Sequence, residues 1–289
     1  MVRNLATVTC LLVVASCARS PKPGPGVDPA PAGRSEKESE ALTVEWEKDT
    51  LRIRGPGLPG EVLEIWYLEA FCRSGSTDRE WSKTTIPHRT ELVESSADKR
   101  RLKLASHVEG GVEVVHEIEA GTDSVDFRVT ATSHGSSRAD VSWVQPCMRV
   151  DRFTGREQAD YIGKCFIFIE DTLTALDKTE REEEALYKGG QVYVPRGIDL
   201  NDVNPRPISP DVPSNGLIGC FSADGSKILA MAWEPCQELF QGVRVCIHSD
   251  FRIGGLEPGE TKKAHGKVYV LDNDPEKLLA RYRADFAEE

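Results

Sequence analysis

The chain has 289 residues and a formal net charge of −11, with 36 basic and 47 acidic side chains. This acidic balance argues against a nucleic-acid partner, because phosphate binding needs clustered lysine and arginine. The one dense basic run, Lys99-Arg100-Arg101 with Lys103, is short and is typical of a solvated face.

The first 16 residues have the pattern of a signal peptide. Arg3 provides the positive start, and the apolar run from Leu5 to Ser16 is shorter than the roughly 20 residues that span a bilayer. Small residues then precede Cys17, as in a bacterial lipobox, where the thiol receives the lipid. An ordinary cleavage site with an incidental cysteine is the alternative. Because Ala18 follows instead of aspartate, the lipoprotein interpretation predicts an outer-membrane anchor, facing the periplasm or the cell surface.

Residues 17–41 are predicted to comprise the lipidated cysteine and an extended tether. The segment is rich in proline and glycine and cannot bury enough apolar area to fold. Residues 42–289 show no further shift in composition, so we predict a single domain there.

The domain alternates between strand patterns and turn residues. Val62 to Phe71 is apolar, and its length and β-branched residues favour a buried strand, with a short helix as the alternative. Residues 112–144 predict a three-strand antiparallel meander, because apolar and polar residues alternate strictly between Val125 and Thr132. Further strands are expected at residues 165–169, 191–194, 217–222, 227–233, 243–248 and 265–271. Asp274 and Pro275 then begin a helix, with aspartate at the cap and proline in the first turn. The pattern predicts an all-β sandwich with a C-terminal helix.

Two other features leave alternatives open. The cysteines that would remain in the domain are Cys72, Cys147, Cys165, Cys220, Cys236 and Cys246. They could form disulfides after export or act as buried free thiols, and no CxxC spacing indicates a zinc site. Residues 196–215 form a proline-rich loop with several carboxylates. These oxygen ligands could bind a calcium ion, although the loop lacks the residue order of the usual calcium-binding loop. We predict no metal and no cofactor.

Two segments resemble galactose-mutarotase-like proteins. Residues 125–144, VDFRVTATSHGSSRADVSWV, are similar to that family's strand, turn and following strand beside the sugar site. Residues 254–261, GGLEPGET, resemble the L-x-P-G-E turn before its closing strand. The resemblance implies a large antiparallel β-supersandwich that handles carbohydrate. Residues 191–233 also resemble a group of exported bacterial proteins of this type, and this second resemblance implies no activity.

One departure from the family bears on catalysis. Epimerases of the family carry a catalytic histidine where this sequence has Gln145-Pro146-Cys147, and they use a late carboxylate as base. Glu234 and Glu238 are the carboxylates near a suitable strand end. The missing histidine favours a carbohydrate-binding protein without catalysis. The alternatives are a carbohydrate-active enzyme, such as an aldose epimerase or a lyase-like protein, and a purely structural protein of the cell envelope.

Candidate site residues follow from the chemistry of sugar binding, which combines planar polar side chains with an aromatic ring. Trp143, Gln145 and Arg149 share one face of a predicted strand, and Trp233 ends another; Trp143 fits a core position equally well. If the protein is an enzyme, its predicted catalytic residues are His248, His88 and Glu234. In that case Asp250, two residues beyond His248, would orient it as a general base.

Overall fold

The computed structural model describes residues 41–287, without the side chains of residues 186–188. The predicted signal peptide, Cys17 and nearly all of the tether lie outside the described residues. The strands are β1 (Thr43–Glu47), β2 (Thr50–Arg54), β3 (Leu63–Cys72), β4 (Thr85–Ile86), β5 (His88–Ser95), β6 (Arg101–Val108), β7 (Val112–Ala120), β8 (Ser124–Ser133), β9 (Trp143–Arg149), β10 (Cys165–Ile169), β11 (Thr172–Ala175), β12 (Gln191–Tyr193), β13 (Ile218–Phe221), β14 (Lys227–Glu234), β15 (Cys236–Gln241), β16 (Cys246–Arg252) and β17 (Thr261–Asp272).

Helices are short apart from the C-terminal one. The α-helical segments are Trp81–Thr84, Asp151–Thr154, Glu183–Lys188 and Pro275–Asp285, and the 3₁₀ turns are Ser76–Asp78, Tyr161–Lys164 and Leu176–Lys178. Among residues 41–287 no helix has the length and apolar character needed to cross a membrane.

The strands form two antiparallel sheets. The first sheet has the order β1-β2-β3-β9-β16-β15-β12, with β4 paired to β3. The second has the order β11-β10-β13-β14-β17-β8-β7-β6-β5. This confirms the predicted all-β sandwich with a C-terminal helix.

The main core lies between the sheets. Because side chains alternate along a strand, Ile65, Tyr67 and Phe251 of the first sheet point inward and pack in one buried cluster with Phe127 and Met231 of the second. The residues that alternate with these in the first sheet point away from the core and form its outer face. Polar residues of β9, β15 and β16 lie on this face.

The predicted three-strand meander is wrong in its third strand. β7 and β8 pair along their length, as expected. β9 instead joins the first sheet between β3 and β16, and β8 pairs with β17. The alternation pattern identifies a strand but does not determine its partner. The hairpin of β13 and β14 around Asp224-Gly225 is confirmed.

The C-terminal helix begins as predicted. The Asp274 side chain accepts a hydrogen bond from the backbone N–H of Lys277 at 3.0 Å, and Pro275 stands in the first turn. Leu278 and Tyr282 pack with Tyr269 in a second buried cluster. The helix therefore covers part of the outer face of the second sheet.

Candidate functional site

A buried polar cluster lies on the outer face of the first sheet. On β16, Ile247 and Phe251 point into the core, so Cys246, His248 and Asp250 point to the outer face. All three are buried. A strand whose two faces are both covered usually reads as continuously apolar, so polar residues buried here need a chemical reason.

Two carboxyl groups meet inside this cluster. Glu238 of β15 is paired directly with Asp250 of β16, and both side chains are fully buried. Glu238 Oε2 accepts the backbone N–H of Asn204 at 2.9 Å, but the part of the chain that the structure describes offers no hydrogen-bond donor to Oε1 or to either Asp250 oxygen. Burial raises the pKa of Glu238 to about 8 and raises the pKa of Asp250 well above its ordinary range. Two adjacent buried carboxyl groups cannot both be charged, so the pair retains a proton.

His248 lies between this pair and two cysteines. Its Nδ1 is 3.0 Å from Gln145 Nε2 and 3.9 Å from Asp250 Oδ1, and its Nε2 is 3.3 Å from Cys246 Sγ. Hydrogen bonding with the Cys147 thiol, assisted by the His248 imidazole, holds the pKa of Cys246 well below the ordinary thiol range. The strand face thus places two thiols beside an oriented imidazole.

Glu69 connects the buried cluster to the surface. Burial raises the pKa of its carboxyl group, while the Cys147 thiol and the nearby His248 and Arg149 act in the opposite direction. Glu69 also lines an open recess of about 730 Å³, which we call the Trp81 recess. The recess is lined by Glu69, Ala70, Arg73, Trp81, Ser82, Lys83, Thr85, Ile86, Pro87, His88 and Glu109.

The aromatic wall of the recess is Trp81, whose side chain is exposed. Its ring lies 6.3 Å from the ring of Trp143, which is fully buried behind it with Ala70 and Cys72. The buried ring supports the exposed one, because aromatic pairs at this separation attract one another. The recess therefore presents a supported indole beside charged groups.

His88 lines the same recess at the start of β5. Its Nε2 is 3.1 Å from the carbonyl oxygen of Leu68 and its ring packs against Phe71 at 4.9 Å. These contacts fix the ring at the recess wall, where it is partly exposed.

The sequence-predicted residues fall into three groups. His88 lines the recess, while Trp143, Gln145 and His248 lie buried behind it. Arg149 is partly buried and neighbours Cys147 in that cluster. Trp143 cannot offer its face to a ligand, and this corrects its predicted role as a sugar platform.

Trp233 and Glu234 lie elsewhere. Trp233 is 1% exposed and packs in the main core against Phe251 at 4.3 Å, because its side chain points inward from β14. This corrects its prediction as a sugar-binding residue. Glu234 accepts a hydrogen bond from Tyr282 and lines two other recesses on the side of the C-terminal helix. The fold therefore does not bring Glu234 together with His248 or His88, as the predicted pairing required.

Sequence reasoning missed Glu69 and Trp81. Glu69 was visible as a charge interrupting the apolar run from Val62 to Phe71. The Cys246-x-His248 spacing, which puts both side chains on one face of a strand, was a second available signal. All six cysteines of the described residues are free thiols.

The proline-rich loop 196–215 shows no convergence of carboxylates. Asp202 contacts Gly75, Ser142 and Arg252, whereas Asp211 accepts the N–H of Glu180. Among residues 41–287, no group of three metal-ligating side chains involves this loop.

No family model and no curated protein matches the chain. Among solved structures, a galactose mutarotase-like protein from Lactobacillus casei is 8% identical with a TM-score of 0.42, over 79% of this chain and 99% of that one. A galactose mutarotase related enzyme from Lactobacillus acidophilus is 8% identical with a TM-score of 0.40, over 79% and 97%. An α-N-acetylgalactosaminidase from Bifidobacterium bifidum is 14% identical with a TM-score of 0.46, over 86% of this chain and 37% of that one.

Proposed function

We propose that the domain binds carbohydrate in the Trp81 recess. The observation that carries the proposal is the exposed indole of Trp81, supported from behind by Trp143 and bordered by Glu69, Arg73 and His88. An aromatic face takes the apolar side of a sugar ring, while planar charged groups at its edge take the hydroxyl groups.

The site residues are held before any ligand arrives. Trp81 packs on a buried ring, His88 is fixed by a backbone carbonyl, and the guanidinium of Arg73 lies 3.9 Å from Glu109. Preorganised side chains lose little conformational entropy on binding, which favours recognition by a shallow recess.

A matched pair of tryptophan variants tests the proposal. Trp66 lies on the same strand as Glu69 and is exposed, but it does not line the recess. A glycan array identifies the ligand class, and fluorescence titration then measures Kd. Trp81→Ala should weaken binding about tenfold or more, while Trp66→Ala binds as wild type. Equal losses in both variants, or no bound glycan, would contradict the proposal.

A second candidate is sugar acid–base chemistry at the same recess. Glu69 has a raised pKa and lines the recess with His88, and such a pair suits proton transfer at an anomeric centre. Nuclear magnetic resonance of sugar anomerisation tests this candidate. Turnover that disappears in Glu69→Gln while sugar binding persists would favour an enzyme over a binding protein.

Placement in the cell is part of the proposal. The signal peptide, the lipobox-like cysteine and the proline-rich tether support a lipoprotein that displays the domain from the outer membrane through Cys17. Metabolic labelling with a fatty acid should mark the wild-type protein and leave Cys17→Ser unlabelled. Labelling that survives this change would contradict the anchor.

A further inference from the structure

We propose that Cys147, Cys246 and His248 bind one zinc ion. The two sulfur atoms and the imidazole nitrogen lie within 4.8 Å of one another, and all three residues are buried. The distance of 3.3 Å between Cys246 Sγ and His248 Nε2 is close to the spacing of two ligands on a common tetrahedral ion.

The strand register builds this group. Cys246 and His248 are two residues apart on β16 and so share its outer face. The pairing of Ile247 with Met148 on β9 places Cys147 opposite His248, on the same face of the sheet. Three ligands therefore come from two adjacent, rigid strands, which fixes their separation better than loops would.

The donor set selects the ion. Two thiolates and an imidazole are typical zinc ligands, and magnesium or calcium would instead need oxygen ligands. Arg149 interacts with the Cys147 thiol, and its positive charge favours the thiolate form of this ligand.

Gln145 provides the outer support that metal-binding histidines need. Its amide lies against His248 Nδ1 at 3.0 Å, and its Oε1 has no partner in the present amide orientation. After a half-turn of the amide, Oε1 accepts a hydrogen bond from Nδ1–H. The ring then carries its free lone pair on Nε2, the nitrogen that faces the sulfur atoms. The same contact thus satisfies a buried oxygen and sets the tautomer that binds metal.

Access to the buried group runs past Glu69, which lines the Trp81 recess. The chain also contains a natural control. Cys165 and Cys220 face each other across β10 and β13 and are both buried, but neither belongs to a group of three metal-ligating side chains in the described residues. A cysteine pair alone should not hold zinc tightly.

The test uses the full chain, reduced and stripped of metal, titrated with zinc and with cobalt. We expect one ion per chain and, with cobalt, thiolate charge-transfer and tetrahedral ligand-field absorption. Cys246→Ser and His248→Ala should lose both signals, and Cys220→Ser should keep them. Gln145→Leu keeps every ligand and should bind roughly 10–100-fold more weakly, as for other outer-shell changes.

Thiol protection covers the case in which a ligand variant does not fold. In the wild-type protein, zinc should slow alkylation of Cys147 and Cys246 and leave Cys165 and Cys220 at their metal-free rates, as read by peptide mass spectrometry. Zinc uptake that survives Cys246→Ser overturns the proposal. A Cys147–Cys246 disulfide in the purified protein overturns it too, if reduction restores no zinc binding.

Discussion

Glu238 and Asp250 face each other on β15 and β16 with both carboxyl groups fully buried, and within residues 41–287 no basic side chain is hydrogen-bonded to either of them. The pair is stable only while it holds a proton, since two buried negative charges at this separation would repel strongly. The polar face of the first sheet is therefore sensitive to pH.

Glu238→Gln should flatten the pH dependence of stability. The folded state raises the pKa of Glu238 from 4.5 to about 8, so it binds the proton more tightly than the unfolded chain does. The stability from this proton is complete at low pH and is lost as the pH rises from about 4.5 to about 8. Chemical denaturation across this range should show wild type losing more stability than the variant, by up to about 5 kcal/mol at about 1.4 kcal/mol per pKa unit. Glu94→Gln, at an exposed position, should follow wild type; a variant as pH-sensitive as wild type would contradict the charge argument.

His116 predicts the opposite behaviour in acid. It is fully buried between Tyr67 Oη, 3.2 Å from Nδ1, and Ser106 Oγ, 3.1 Å from Nε2, and burial lowers its pKa to about 3. Because the unfolded chain binds this proton from about pH 6.5 downward, stability is lost as the pH falls from about 6.5 to about 3. His116→Gln should be less stable at neutral pH but lose less on acidification, as measured by thermal melts. His107→Gln, an exposed change, should melt with the acid sensitivity of wild type.

The fold was largely predictable because it depends on local patterns. Alternation identified β7, β8 and β17, the Asp224-Gly225 turn identified a hairpin, and Asp274 identified the helix start. Strand partners were not predictable in this way: the third strand of the expected meander joined the other sheet, because alternation fixes which residues share a face and not which strand lies alongside.

The candidate site was less predictable for the same reason. Cys147 and Cys246 come from different strands, β9 and β16, and meet only through sheet order. Trp233 was predicted as a sugar-binding residue because it lies near the end of a strand, yet its side chain points into the core. The patterns of single strands identified Gln145 and His248 as separate candidates, and only the pairing of β9 with β16 brings them into contact.

Gly266 should tolerate no larger side chain. A methyl group there would stand 2.5 Å from the Trp233 ring, which is already packed against Phe251 and Phe127. Gly266→Ala should lower the free energy of unfolding by about 1–3 kcal/mol, the usual cost of overpacking a core. Urea denaturation measures this loss, and Gly163→Ala, where the nearest atom is 3.5 Å away, is the control. An unchanged midpoint in Gly266→Ala would show that the Trp233 ring can move aside.

Asp202 should control the order of loop 196–215. One carboxylate oxygen accepts the N–H of Gly75 at 2.9 Å, and the other lies 3.1 Å from an Arg252 nitrogen and 3.2 Å from Ser142 Oγ. Asp202→Ala removes all three contacts. At about 1 kcal/mol for each hydrogen bond, the locally opened state should become at least about tenfold more populated. Tryptic cleavage after Arg196, which is followed by Gly197, should accelerate by the same factor in the otherwise folded protein, because cleavage follows the open population when reclosing is fast. Asp199→Ala loses only contacts to the neighbouring Asn201 and should be cleaved at the wild-type rate. If both variants were cleaved equally fast, the contacts of Asp202 with Gly75, Ser142 and Arg252 would not be what orders the loop.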